Sequence, residues 1–206
     1  MIGIIFATYA EASPLLQRTS SRKISERPFI LFHIIRPGDR EYSVVAISGM
    51  GKVAAALATQ MLILKHQVDT VINAGVCGSV AENIEAGMIL RITRAWEGDR
   101  GESHGTAESF PCSGELWKNL REASLVTSDK PVFDDLKKSK LAPWAELVDM
   151  EGAAVARTAE MYRVPCYLIK GVTDDADEGG REVLHKNLER ISRQIAEVLL
   201  DGLRVA

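Results

Sequence analysis

The chain has 206 residues, 46% of them hydrophobic and 26% charged, with a formal net charge of -3. That is enough apolar material for one cored domain over residues 1–206, and it leaves no basic block for nucleic acid and no ~20-residue apolar run to cross a bilayer. The three cysteines, Cys77, Cys112 and Cys166, are odd in number and far apart, which argues against a disulfide framework or a zinc site and for a reducing, cytoplasmic setting.

Residues 2–8 read as a first strand buried on both faces. The apolar start is too short for a signal peptide, lacks a basic leader and soon meets Glu11. Thr8 to Ala12 turns into a helix with Leu15 and Leu16 inward, and the polar run 17–28 reads as a loop or frayed helix end. Residues 29–35 and 42–47 form a hairpin around the Arg36-Pro37-Gly38-Asp39-Arg40 turn. Ser48-Gly49-Met50-Gly51-Lys52 opens a helix from Val53 to His66. A buried strand at 68–73 follows, ending in a glycine-punctuated loop, 74–79. Residues 88–94 are strand-like. The stretch 97–114 holds four glycines and no period, and reads as a lid or interface loop. A short helix is expected at 115–122, a short strand at 125–128 and a charged helix at 134–140. Residues 164–169 form another strand, running into 170–177, and 180–203 is a closing amphipathic helix. Alternating strands and helices predict an α/β fold with a largely parallel sheet. Ligands of such sheets sit beyond the strand carboxyl ends, which here are the loops at 8–11, 48–52, 73–79, 127–133, 149–151 and 173–177.

Val148-Asp149-Met150-Glu151-Gly152-Ala153-Ala154 sets two acids where a strand becomes a helix. An acid there can face a cleft into which helix N-terminal amides also point. Plainer readings exist for the other acids. Glu11 suits a helix dipole, and Asp174, Asp175 and Asp177 suit a solvated turn capped by Thr173 or Asp174. Gly49-Met50-Gly51-Lys52-Val53-Ala54 fits neither a dinucleotide fingerprint, since no acid ends the next strand, nor a P-loop, since Val53 follows Lys52. On its own it is a tight strand-to-helix turn. His33, His66, His104 and His185 are scattered in dissimilar contexts and form no metal site, with His185 on the polar side of the last helix. Cys77 reads as a packed thiol.

Taken together these segments resemble the purine nucleoside phosphorylase/nucleosidase superfamily, and within it the 5′-methylthioadenosine/S-adenosylhomocysteine nucleosidases. The segments are Gly3-Ile4-Ile5 with Glu11, Ser48 to Ala56, Ile72 to Gly75, Val126 to Asp129, Val148 to Glu151, and Thr173-Asp174-Asp175-Ala176-Asp177. The resemblance implies a three-layer α/β/α fold around a mixed, largely parallel twisted sheet. It implies hydrolysis of the N-glycosidic bond of a 5′-modified purine nucleoside, through a transition state like an oxocarbenium ion. Asp174 would protonate the purine at N7, Glu11 would activate water, and Glu151 would hold the ribose hydroxyls, with Met150 packed beside the sugar. Met50, Val76, Val132, Phe133 and Thr173 complete the implied substrate-binding set. The resemblance calls for no metal, cofactor, nucleic acid or membrane, and for a homo-oligomer, most simply a homodimer. This chain also departs from the pattern. Lys170 replaces an arginine before the acid motif, Val76 stands where serine is common, and Pro131 with a displaced Phe133 replaces the usual aromatic partner of the base. Phosphorolysis is disfavoured, because Glu11 would repel phosphate and Asn73 replaces the expected arginine. Futalosine hydrolase is a relative that usually carries Ser-Asn in place of Thr173-Asp174. A nucleoside-binding protein without turnover is the alternative of another class.

Overall fold

Strand and helix alternate through most of the chain in the computed structural model, which describes residues 1–35, 43–100 and 108–203. In order these are β1 (Ile2–Phe6), α1 (Tyr9–Gln17), β2 (Ser20–Glu26), β3 (Phe29–Ile35), β4 (Ser43–Ile47), α2 (Lys52–His66), β5 (Thr70–Ser79), β6 (Ile89–Glu97), a 3-10 turn (Gly98–Arg100), β7 (Ser109–Pro111), β8 (Arg121–Thr127), α3 (Asp135–Leu141), β9 (Leu147–Asp149), α4 (Gly152–Met161), β10 (Cys166–Asp174) and α5 (Gly180–Gly202). The turn expected at 36–40 and the middle of the glycine-rich stretch lie outside the described residues.

The layers follow from the period of two in a strand. Ile5, Val71 and Leu168 face one apolar cluster, covered by α2 and α4. Their neighbours Ile4, Ile72 and Ile169 face another, covered by α1 and α5. The central strands are therefore apolar on both sides, and helices occupy both faces. The sheet is mixed. β1 runs parallel to β4 and β5, and β5 parallel to β10, whereas β3 is antiparallel to β2 and β4. On the far side β10 pairs with β6, β6 with β8, β8 with β9, and β9 returns to β5. Those five strands close a ring, which leaves them no open edge. Around it β5 and β10 run one way and β6, β8 and β9 the other.

Several local expectations give way. Residues 20–26 are a strand, not a loop, because their backbone pairs antiparallel with the whole of β3 at the edge of the sheet. The segment 74–79 continues β5. Its glycines admit neighbouring side chains rather than break the chain: a Cβ on Gly75 would lie 2.8 Å from Glu11 Oε1, and one on Gly78 3.1 Å from Asp174 Oδ1. Residues 115–120 form turns instead of a helix. Trp117 takes φ +53° there and donates from Nε1 to the Val198 carbonyl at 2.7 Å, so tertiary anchoring overrides local propensity. Among the described residues, no helix is long and apolar enough to cross a membrane.

Gly152 shows how tightly α4 is set against the sheet. A Cβ there would lie 2.4 Å from Leu125 Cδ2, 2.9 Å from Leu168 Cδ2 and 3.0 Å from Asp149 Oδ2. Alanine favours helices, yet Gly152→Ala should destabilise the fold by about 1–3 kcal/mol through overpacking. The midpoint of urea unfolding checks this, and an unchanged or raised midpoint would contradict it.

Candidate active site

Glu11 is held by its own helix start. Thr8 caps α1, accepting from Glu11 N at 3.3 Å, while the Glu11 carboxylate turns back to accept from Thr8 N at 2.8 Å and Thr8 Oγ1 at 2.7 Å. This is a capping box, and it occupies only Oε2. The other oxygen reaches across to β5 and accepts from Val76 N at 3.0 Å, through the space that Gly75 leaves by having no side chain. One side chain thus both closes the helix start and reaches across to β5.

Glu151 precedes α4, and Gly51 N donates to its Oε1 at 2.7 Å. Gly51 has φ +97°, a conformation that glycine adopts without strain, so the Gly-x-Gly turn exists here to aim an amide at a carboxylate. Burial, followed by the charge of Asp149, raises the pKa of Glu151 to about 7, against the opposing pull of Lys170 and the Gly51 amide. Asp149 faces away from that role. It accepts from Thr127 Oγ1 at 2.6 Å and Gly152 N at 2.8 Å, and pairs with Lys170 Nζ at 2.8 Å. Both side chains of that pair are only 1% exposed. Burial pulls the Lys170 ammonium down, but Asp149 and Glu151 outweigh it and the pKa is raised, so the lysine stays charged.

Asp174 ends β10 where the register with β5 slips between Val172 and Asp174. Such irregularities re-aim a side chain. The carboxylate accepts from Ala176 N at 3.0 Å and Thr173 Oγ1 at 2.7 Å. Its pKa is raised, first by burial and then by Asp175 and Asp177, against those two hydrogen bonds.

These elements enclose one cavity of about 260 Å³. Glu11, Glu151 and Asp174 all line it, with Met50, Val76, Val132, Phe133 and Met150. Thr173 is not on its wall; it is buried behind Asp174, with its hydroxyl turned to Asp174 and to the Cys77 carbonyl at 3.1 Å. Phe133 forms part of the wall, and the Arg181 guanidinium lies 5.5 Å from its ring centre. Leu184, His185 and Leu188 of α5 also line the cavity, and sequence reasoning did not place them there. The i, i+4 spacing of the two leucines carried the signal, but it served equally for packing on the sheet. Cys77 lines the cavity as well; burial holds its thiol far above the ordinary range, so it stays protonated. Among the described residues, no group of three or more His, Cys, Asp or Glu is arranged to hold a metal ion.

Known proteins resemble this chain in sequence and in fold. A model of the phosphorylase superfamily matches residues 1–204. A 5′-methylthioadenosine/S-adenosylhomocysteine nucleosidase of Buchnera aphidicola is 30% identical over 199 residues, spanning 85% of this chain and 79% of that protein. One from Arabidopsis thaliana is 30% identical over 223 residues, spanning 96% and 87%. In fold, the Helicobacter pylori nucleosidase of the same name superposes with a TM-score of 0.92 at 24% identity, over 100% of this chain and 98% of that one. The futalosine hydrolase of Helicobacter pylori strain 26695 does so with the same TM-score and identity, over 100% and 97%.

Lys170 is the cation on which this acid cluster rests. Lys170→Met should destabilise the protein by about 3–5 kcal/mol, because Asp149 is then buried without its partner. It should also move the titration of Glu151 above its value of about 7. Urea unfolding and carboxyl-carbon NMR titration read the two effects; an unshifted Glu151 would disprove the coupling.

Proposed function

This chain belongs to the phosphorylase superfamily, and on that premise we propose that it is a nucleosidase hydrolysing the N-glycosidic bond of a 5′-modified purine nucleoside. The convergence of Glu11, Glu151 and Asp174 on one cavity carries the reading. In this scheme Asp174, whose pKa burial raises, gives its proton to purine N7 while the C1′–N9 bonding pair moves onto the base. The sugar becomes cationic, and Glu151 accepts its hydroxyls and supplies negative charge in a water-poor site, where such charge counts most. Water attacks C1′ and passes a proton to Glu11. Both Glu11 oxygens already hold donors, which fixes the carboxylate's direction, and a carboxylate has acceptor sites to spare for one more.

Hydrolysis fits better than phosphorolysis. Among the described residues lining the cavity there is no Lys or Arg, and the buried Lys170 is paired with Asp149. A phosphate would meet the Glu11 carboxylate instead. The names of the Buchnera and Arabidopsis relatives support methylthioadenosine or S-adenosylhomocysteine as substrate, and Met50, Leu184 and Leu188 offer apolar surface for a thioether. Asp174, in place of the asparagine usual in futalosine hydrolases, points the same way.

The whole chain, residues 1–206, is read as one domain, acting in the cytoplasm with its three cysteines as free thiols. It is further read as a homodimer. Val53, Leu57 and Leu64 of α2 and Met161 of α4 are 76%, 51%, 58% and 75% exposed, an apolar face that a second copy would cover. Native protein should sediment at twice the chain mass, and Leu57→Glu should sediment at the single-chain mass. A native monomer would refute the dimer.

Purified protein should release adenine from methylthioadenosine at the same rate with and without phosphate. Phosphate-dependent release would overturn hydrolysis, and no release of base from any 5′-substituted adenosine, inosine or futalosine would overturn the enzyme reading. Asp174→Asn should abolish turnover and keep nucleoside binding, and Glu11→Gln should slow hydrolysis by roughly a hundredfold, the scale of a positioned base. A loss below threefold in the second variant would remove Glu11 from the water-activating role.

A further inference from the structure

The Gly-Met-Gly-Lys turn ends in a lysine that the proposed chemistry does not use. Lys52 is the first residue of α2, which has no acid in its first turn and no side-chain cap. A cation at a helix N-terminus opposes the helix dipole, so its place needs another reason. Lys52 Nζ lies 2.9 Å from Asp99 Oδ2, 3.3 Å from Asp129 Oδ1 and 3.7 Å from Glu97 Oε1, and its side chain is 14% exposed. Asp99 is the hub of this group. Its Oδ2 also accepts from Asp129 N at 2.6 Å, and its Oδ1 from Ser128 Oγ at 3.3 Å.

The two ends of the cluster adjoin two walls of the cavity. One residue before Lys52, the Gly51 amide holds Glu151. Two residues after Asp129 begins Pro131-Val132-Phe133, which lines the cavity. The clustered groups are themselves absent from the cavity lining, so they act on a ligand only through these neighbours.

We propose that Lys52 and Asp99 are positioning residues: an ion-pair clasp that fastens the glycine turn holding Glu151 to the turn carrying the 131–133 wall, and so sets the width of the nucleoside site. The assignment of that site to a nucleoside rests on the reading above; the clasp itself does not. Burial opposes the Lys52 charge, but Asp99 and Asp129 outweigh it and raise its pKa. Asp99 is conversely lowered, with Lys52 and the Asp129 amide overcoming its burial. The pair is thus ionised at neutral pH.

Two measurements test the clasp. In protein without substrate, hydrogen exchange followed by NMR should be at least tenfold faster at the Gly51 and Asp129 amides in Lys52→Met and in Asp99→Asn, with native-like urea midpoints. Exchange at Gly51 within twofold of native in both variants would overturn the clasp, whether or not the protein is a nucleosidase. With methylthioadenosine, both variants should raise KM roughly three- to tenfold with kcat within about threefold, and the double variant should be no worse than either alone, as expected for partners in one interaction. Lys52→Arg should stay within twofold of native. In native protein KM should rise between low salt and 1 M salt, since the pair is partly exposed and screened, and it should be flat in Lys52→Met. If Lys52→Met does not fold, Asp99→Asn and the native salt series decide the matter. Additive losses in the double variant, or a salt response equal in native and variant, would overturn the proposal. Absence of turnover in native protein would remove only the nucleosidase reading, and the exchange data would still decide the clasp.

Discussion

Ionisable acids in an apolar cavity repel one another and lose their water, and the architecture around this site answers that single constraint. Glu11, Asp149, Glu151 and Asp174 are each at most 7% exposed, so little water is left to hydrogen-bond them. Each is met by a backbone amide: Val76 for Glu11, Gly152 for Asp149, Gly51 for Glu151 and Ala176 for Asp174. One fully buried ammonium, Lys170, is added to the group. The balance differs from acid to acid. Glu151 is met by the Gly51 amide at 2.7 Å and is lifted to about 7, while Lys170 remains charged because two acids surround it.

Spare amides occur where strands end and helices begin, since those groups have no partner within the element. Several such junctions brought close together therefore offer several at once. Here β5, β9 and β10 belong to the closed ring, and α1, α2 and α4 start beside it. The slip in register at Asp174 and the positive φ of Gly51 are the local distortions that turn regular junctions into aimed ones. Gly75 and Gly152 act differently, by letting Glu11 and the α4 start approach the strands. The lysine that follows Gly51 extends the same economy outward, tying the glycine turn to Asp99 rather than to a ligand.

Much of this was legible in the amino-acid order. Two-sided apolar strands, the spacing of Leu184, Leu188, Ile191 and Ile195 along α5, and the strand–helix alternation all follow from local periodicity, and the fold class follows from them. Glu151 was equally visible, because an acid among apolar and small residues such as Val148, Gly152 and Ala153 has no easy solvated reading, whereas Glu11 and Asp174 stood out only in combination with it. What local pattern could not express was pairing. The continuation of β5 through Gly75 and Gly78 looked like a loop, the β2 edge looked like a frayed end, and the 115–120 turns looked helical. In each case a contact distant along the chain decided the outcome.

The residues alone therefore determined the fold class, most of its elements and the presence of acids at the strand–helix junctions, since hydrophobic period and residue type are local properties. Tertiary structure decided the closure of the ring, the withdrawal of Thr173 behind Asp174, the entry of His185 and Leu188 into the cavity wall, and the pairing of Lys170 with Asp149 and Lys52 with Asp99. Those outcomes depend on distances between segments far apart in the chain, 47 residues in the Lys52–Asp99 case and 96 between Cys77 and Thr173, and charge energies vary with separation and burial, neither of which a linear pattern contains.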